Sequence, residues 1–107
     1  MDKVKVTVVK RMNMNEIYGN NLPGDVNIPI AAPLCDQFKE GQEFIMGMNC
    51  PPEFCSWAYA DIQRDIIHIL MGGDYFWMNE KGVAIACCTD GLRPVVFRIE
   101  RIKEEGA

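Results

Sequence analysis

Thiols offer this chain most of its options for chemistry, because it contains five cysteines and a single histidine. The cysteines are Cys35, Cys50, Cys55, Cys87 and Cys88. An odd number of cysteines in a chain without an export signal argues against a disulfide framework, since cytosolic thiols are kept reduced. We therefore expect these thiols to be free, metal-bound or redox-active.

Cys55 is the most suggestive of the five. It stands immediately before a predicted helix whose N-cap we assign to Ser56. The free amides and the dipole at such a helix end favour the thiolate over the thiol. Helical spacing extended back to Cys55 places it on the side of Ile62, facing inward. Cys55 is therefore the first candidate for a nucleophilic or redox thiol.

Cys87 and Cys88 lie in a predicted strand, where neighbouring side chains point to opposite faces. The two sulfurs are therefore not expected to serve one site. Cys87 is interpreted as a small apolar core residue beside Ala84 and Ala86.

Cys88 leads into the turn Thr89-Asp90-Gly91, which Arg93 follows. A guanidinium and turn amides near a thiol favour its thiolate. The candidate catalytic residues are therefore Cys55, Cys88, Asp90 and Arg93, with Asp90 and Arg93 shaping the site.

A metal site is the alternative use of these thiols. Cys50 and Cys55 form a C-x4-C pair, which is not the C-x2-C of a zinc knuckle. Strand ends and helix starts often meet at one sheet edge, so Cys50 and Cys55 together with Cys88 could hold zinc or iron. Cys35 is a further possible ligand for that site.

His68 is the only histidine in the sequence, so any mechanism that needs a histidine would have to use it. On a helical wheel it falls beside Trp57 and Asp61, opposite the apolar stripe through Ile62. A solvated or subunit-facing surface is the favoured interpretation, and Trp57 points to a partner surface there. The aromatic segment 75–78 could wall a small-molecule pocket, but such a loop is more often a flap over the core or a dimer contact.

The elements that position these residues follow from apolar periodicity. Alternation predicts strands over 3–10, 42–48 and 95–102, and a run that is apolar on both faces predicts an interior strand over 83–88. Apolar residues spaced three and four apart predict one main helix over 56–71, ended by Gly72-Gly73.

Residues 13–34 read as a long loop rich in turn-forming residues, with room for a short strand at Val26 to Ile30. The whole chain, 1–107, is predicted to be one domain of the α+β class. We expect a mostly antiparallel sheet, or a partly closed small barrel, of four or five strands with one helix packed on it.

Charge and composition exclude several classes of function. The net charge is −4 and the eleven Lys and Arg residues form no run, which argues against nucleic acid and against an anionic membrane surface as partners. No apolar stretch approaches the roughly 18 residues of a membrane span. A cytoplasmic protein is expected, and familiar nucleotide, zincin and hydrolase motifs are missing from the sequence.

Two stretches of the sequence are similar to a known protein family. The segments 52–58, with Cys55-Ser56-Trp57-Ala58, and 87–95, with Cys-Cys-Thr-Asp-Gly-Leu-Arg-Pro-Val, resemble a family of small prokaryotic proteins of unknown function. The resemblance implies a shared fold and no known reaction. Members of that family often have proline after the first cysteine, whereas Asp36 follows Cys35 here.

Two functions from different classes remain. The leading hypothesis is a thiol-dependent protein that binds a metal or small ligand, or performs redox chemistry, through Cys55 or Cys88. The rival is a non-catalytic domain that forms a homo-oligomer or binds another protein through Trp57, the aromatic loop and the 13–34 loop, with buried cysteines. The sequence does not decide whether the protein is an enzyme.

Overall fold

Alternating apolar residues build an antiparallel sheet, and one amphipathic helix covers it. In order along the chain the elements are β1 (Lys3–Arg11), α1 (Met14–Tyr18), β2 (Glu43–Met46), α2 (Ser56–Leu70), β3 (Val83–Cys87) and β4 (Val95–Ile102). They are seen in a computed structural model that describes residues 3–25 and 35–102. The predicted α+β class, with a four-stranded antiparallel sheet and one main helix, is confirmed.

The sheet has the strand order β2-β1-β4-β3 and is open, so the barrel alternative does not hold for the described residues. The central strand β1 pairs Val6 with Phe44 of β2 and with Ile99 of β4. Val4, Val6 and Val8 are all at most 1 % exposed, as their alternation requires.

The prediction that β3 is an interior strand was wrong. Within the described ranges 3–25 and 35–102, β3 pairs only with β4 and forms one edge of the sheet. Its alternation buries Ala84 and Ala86, while Ile85 and Cys87 are exposed on the open face. Cys87 is therefore not the core residue that we predicted, and Cys88 is the cysteine that joins the core.

The core lies between α2 and the inner face of the sheet. The predicted apolar stripe of α2 is confirmed, and Ile62, Ile66 and Ile69 are fully buried. Four phenylalanines fill the space beside it, with ring centroids 4.9–6.1 Å apart, mostly in edge-to-face or tilted pairs: Phe38, Phe44, Phe54 and Phe97. Such arrangements suit the aromatic quadrupole.

Helix α2 begins at Ser56, as predicted, but Cys55 and not Ser56 is its N-cap. Its end is as predicted: Gly72 has a φ of 90°, and the amide of Gly73 donates to the carbonyl of His68. Arg101 of β4 donates from one guanidinium nitrogen to the carbonyls of Ile69 and Gly73, which also fixes this end of the helix.

Part of the long loop predicted at 13–34 is helical instead. Asn13 caps α1 in a capping box, in which its side chain accepts from the Asn15 amide and Glu16 accepts from the Asn13 amide. The Asn-x-x-Glu spacing was the signal for this short helix. The strand considered at Val26 to Ile30 lies outside the described residues. Within the described part of the chain, no helix is long and apolar enough to cross a membrane.

The aromatic loop folds back over the end of α2. Tyr75 lies between His68 and Trp77, with ring centroids 4.5 Å from each. His68 is therefore partly covered and not part of a fully solvated stripe. The Tyr75 hydroxyl donates a hydrogen bond to the buried Asp65. The pKa of Tyr75 is raised to about 12, mainly by burial and to a smaller extent by this hydrogen bond. Phe76 is 94 % exposed.

Gly73 leaves room for the His68 ring, and replacing it should disturb this packing. A Cβ at position 73 would lie 2.2–2.5 Å from ring atoms of His68, so Gly73→Ala should destabilise the protein by about 1–3 kcal/mol. Urea denaturation checks this, with Gly24→Ala as a control in open space. The double variant with His68→Ala should recover most of the loss. If Gly73→Ala and Gly24→Ala lowered the free energy of unfolding equally, the clash with His68 could not be the cause.

Stability should fall in alkaline solution partly because of Tyr75. Its pKa is about 12 when folded and near 10 when unfolded, so its contribution is complete below pH 10 and is lost as pH rises towards 12. Urea denaturation between about pH 9 and 11.5 should give a shallower fall for Tyr75→Phe than for the wild type. Parallel curves for the two proteins would refute the assignment.

Candidate functional site

Three of the five cysteines share one cavity of about 520 Å³. The cavity lies where the first turn of α2, the segment 35–38 and the β3–β4 connection meet. All four predicted catalytic residues line it. Its wall consists of Cys35, Asp36, Gln37, Phe38, Cys55, Trp57, Ala58, Cys88, Thr89, Asp90, Gly91, Leu92 and Arg93.

Cys55 enters this wall from the start of α2. As the N-cap it has an extended backbone, and its carbonyl accepts the Tyr59 amide in the first helical bond. Its side chain makes no capping hydrogen bond, so Sγ is not committed to the helix end. Cys55 is partly buried. The positive end of the helix dipole therefore lies beside a thiol that lines the cavity.

Cys88 lines the same cavity but is held more firmly. It is 8 % exposed and belongs to the apolar core. Its amide donates to the carbonyl of Val95, and its Sγ accepts the Val95 amide at 3.2 Å. These two bonds close the β3–β4 connection, so Cys88 has a structural task besides any chemical one.

Asp90 and Arg93 form the turn that follows. The Asp90 Oδ1 accepts the backbone amides of Leu92 and Arg93, at 2.9 and 3.1 Å. Its Oδ2 lies 3.8 Å from Nε of Arg93, which is too long for a hydrogen bond. Nε of Arg93 is buried and has no hydrogen-bond partner among the described residues. Arg93 thus has a buried, unpaired Nε on a side chain that is 27 % exposed.

Sequence reasoning undervalued Cys35, which the tertiary structure brings to the same wall. Arg11, at the end of β1, donates to the Cys35 carbonyl at 3.1 Å and pairs with Glu40 at 2.7 Å. Burial raises the pKa of Cys35; among the smaller influences, Cys88 raises it further and Arg93 lowers it. Cys35 shares the cavity wall with both residues. No local pattern around Cys35 signals this.

Asp61 is the second residue that sequence reasoning missed, since we placed it on the solvated stripe with His68. One carboxylate oxygen accepts the Thr89 amide at 2.8 Å, and the other accepts the Thr89 hydroxyl at 2.7 Å. Tyr18 of α1 also donates to the carbonyl of Gly91. The two helices therefore hold the cavity turn from both sides.

Cys50 is not among the residues that line the cavity. Its Sγ is 3.5 Å from the carbonyl oxygen of Phe54, and burial raises its pKa, with smaller increases from the nearby Cys55 and Glu53. Among residues 3–25 and 35–102, no group of three or more histidine, cysteine or acidic side chains is placed to hold a metal ion. The zinc or iron site at Cys50, Cys55 and Cys88 is thus not formed in this arrangement.

Comparison with known proteins identified no relative of this chain. No family model matches the chain, and no curated protein or solved structure is significantly similar to it. The resemblance drawn from segments 52–58 and 87–95 stays a prediction.

Removing the Asp61 carboxylate should loosen the cavity turn. Asp61→Ala removes two hydrogen bonds that are open to solvent, which water can partly replace, so unfolding should become easier by about 0.5–1.5 kcal/mol. The amide NMR chemical shifts of residues 88–93 should also change in Asp61→Ala. Thr89→Val removes only the hydroxyl bond and should cost less, and Thr89→Ser should be close to wild type. An unchanged turn spectrum in Asp61→Ala would argue against a positioning role.

Proposed function

We propose that this protein binds a small molecule in the cavity at the start of α2 and reacts with it through the thiol of Cys55. The observation that carries the proposal is the convergence of Cys55 with Cys35, Cys88 and Arg93 on one cavity. Its volume of about 520 Å³ is in the range of small-molecule sites. A mixed apolar and polar wall, with Phe38 and Leu92 beside charged groups, is typical of such sites.

Cys55 suits the reacting role better than Cys88. Both line the cavity, but the Cys88 sulfur is buried in the core and accepts the Val95 amide. The Cys55 sulfur makes no capping bond and lies at a helix N-terminus. Attack on a ligand needs a sulfur that the ligand can approach, and Cys55 is partly exposed whereas Cys88 is buried.

Thiol–disulfide exchange is the reaction that needs the fewest further groups. The Cys55 thiolate bonds to one sulfur of a small disulfide, the disulfide bond breaks, and the other half leaves as a thiolate. That thiolate then takes a proton from water. The product is a mixed disulfide on Cys55, and a second small thiol restores Cys55 by the reverse exchange. The small disulfide is the oxidant, so electrons balance without a cofactor.

Replacing Cys55 should remove the fast reaction. Reduced native protein treated with 2-hydroxyethyl disulfide at pH 7 should form a mixed disulfide at Cys55 at least about tenfold faster than at Cys87, which is exposed on the open face of the sheet, outside the cavity. Peptide mass spectrometry assigns the sites. Cys55→Ser should lose the fast phase, while Cys50→Ser, a matched change outside the cavity wall, should keep it. First reaction at Cys87, or inert thiols until unfolding, would overturn the proposal.

A protein-binding or oligomerising domain is the second candidate, favoured by the exposed aromatic side chains. Trp57 is 71 % exposed, Phe76 is 94 % and Trp77 is 61 %. Large exposed aromatic side chains are typical of contact surfaces. Under this function the cysteines are inert, and sedimentation analysis shows a self-associated species that Phe76→Ser or Trp57→Ser disperses. The two candidates are thus distinguished by thiol reactivity in the native protein.

A further inference from the structure

We infer that the ligand of this cavity carries a single carboxylate, which pairs with the guanidinium of Arg93. This inference rests on the proposed function and names the chemical class of its ligand. It depends on Arg93 and on the charges around it, and not on which cysteine reacts.

Arg93 is placed to receive an anion. It is the one cationic side chain among the described residues that line the cavity. Its Nε is buried and faces the protein, but the side chain as a whole is 27 % exposed, which leaves the rest of the guanidinium to line the cavity. A planar guanidinium can donate two parallel hydrogen bonds to a carboxylate. A carboxylate ligand would therefore pair with a cation that no other described side chain of the wall supplies.

Asp90 does not fill this role itself. One of its oxygens is committed to the amides of Leu92 and Arg93, which closes the turn. The other stays 3.8 Å from Nε, within ion-pair distance but beyond hydrogen-bond distance. Asp90 therefore fixes the backbone of the turn and makes no hydrogen bond with the guanidinium.

The surrounding charges limit how negative the ligand can be. Asp36 and Asp90 line the same cavity as Arg93, so its charged side chains sum to one negative charge. A phosphate dianion would meet two carboxylates for a single guanidinium, and like charges at this range repel. A monoanionic carboxylate pairs with Arg93 at a lower electrostatic cost. Phe38 and Leu92 in the wall suit an apolar remainder.

The first test is binding of propionate against propionamide, which have nearly the same size and differ in charge. Propionate, propionamide and inorganic phosphate are each titrated into the reduced protein at constant ionic strength, and the amide NMR spectrum is recorded. Propionate should shift the amides of 88–93 and bind at least about fivefold more tightly than propionamide or phosphate. Equal binding of propionate and propionamide, or tighter binding of phosphate, would overturn the inference.

Two arginine variants make the test specific. Arg93→Gln should abolish the preference for propionate, and Arg93→Lys should retain part of it, because a lysine keeps the charge but not the paired donors. Arg98→Gln is the matched control, since Arg98 pairs with Glu80 on the open face of the sheet. It should leave propionate binding unchanged. A preference that survives Arg93→Gln in a folded protein rules out Arg93 as the anion partner.

Alkylation separates this inference from the proposed function. Iodoacetate and iodoacetamide deliver a negative and a neutral group to the same thiol, and the thiolate displaces iodide from each. The rate ratio of iodoacetate to iodoacetamide should be several-fold higher at Cys55 than at the exposed Cys87, and Arg93→Gln should remove the difference. Native Cys55 that reacts with neither reagent, together with propionate binding, would refute the reacting thiol and keep the carboxylate site.

Discussion

The packing of α2 on the inner face of the sheet is the constraint on which the rest of the molecule depends. Ile62, Ile66 and Ile69 are fully removed from solvent by it, and Phe54 and Phe97 fill the space beside them. Burial of apolar area is the dominant favourable term in folding. Once this stripe is buried against β1 and β4, the rotation and position of the helix are fixed. The first turn of α2 then has to lie beside the β3–β4 connection.

Hydrogen bonds fix the positions of the segments that the core packing brings together. Asp61 binds both the amide and the hydroxyl of Thr89, and Arg11 holds the carbonyl of Cys35. Asp90 closes its own turn through two backbone amides. Each contact joins segments that the hydrophobic core only brings near one another. Together they give the cavity defined walls, which a ligand site needs if its groups are to be held in place before binding.

The cysteines differ because the fold gives each a different environment. Cys88 continues the alternation of β3 onto its buried face, whereas Cys87 falls on the open face. Burial raises the pKa of Cys35, Cys50 and Cys87. Cys55 instead caps a helix and lines the cavity. Position within the fold, more than cysteine number, therefore decides which sulfur can react.

The sequence by itself determined the strands, the main helix and the turn with Asp90 and Arg93, because periodicity and turn chemistry are local properties. It could not determine strand order, so Val83–Cys87 was taken for an interior strand and Cys87 for a core residue. Those depend on which strands pair, and pairing is settled by long-range packing. The meeting of Cys35, Cys55 and Arg93 was decided only by the tertiary structure, since residues far apart in the chain become neighbours when the core closes.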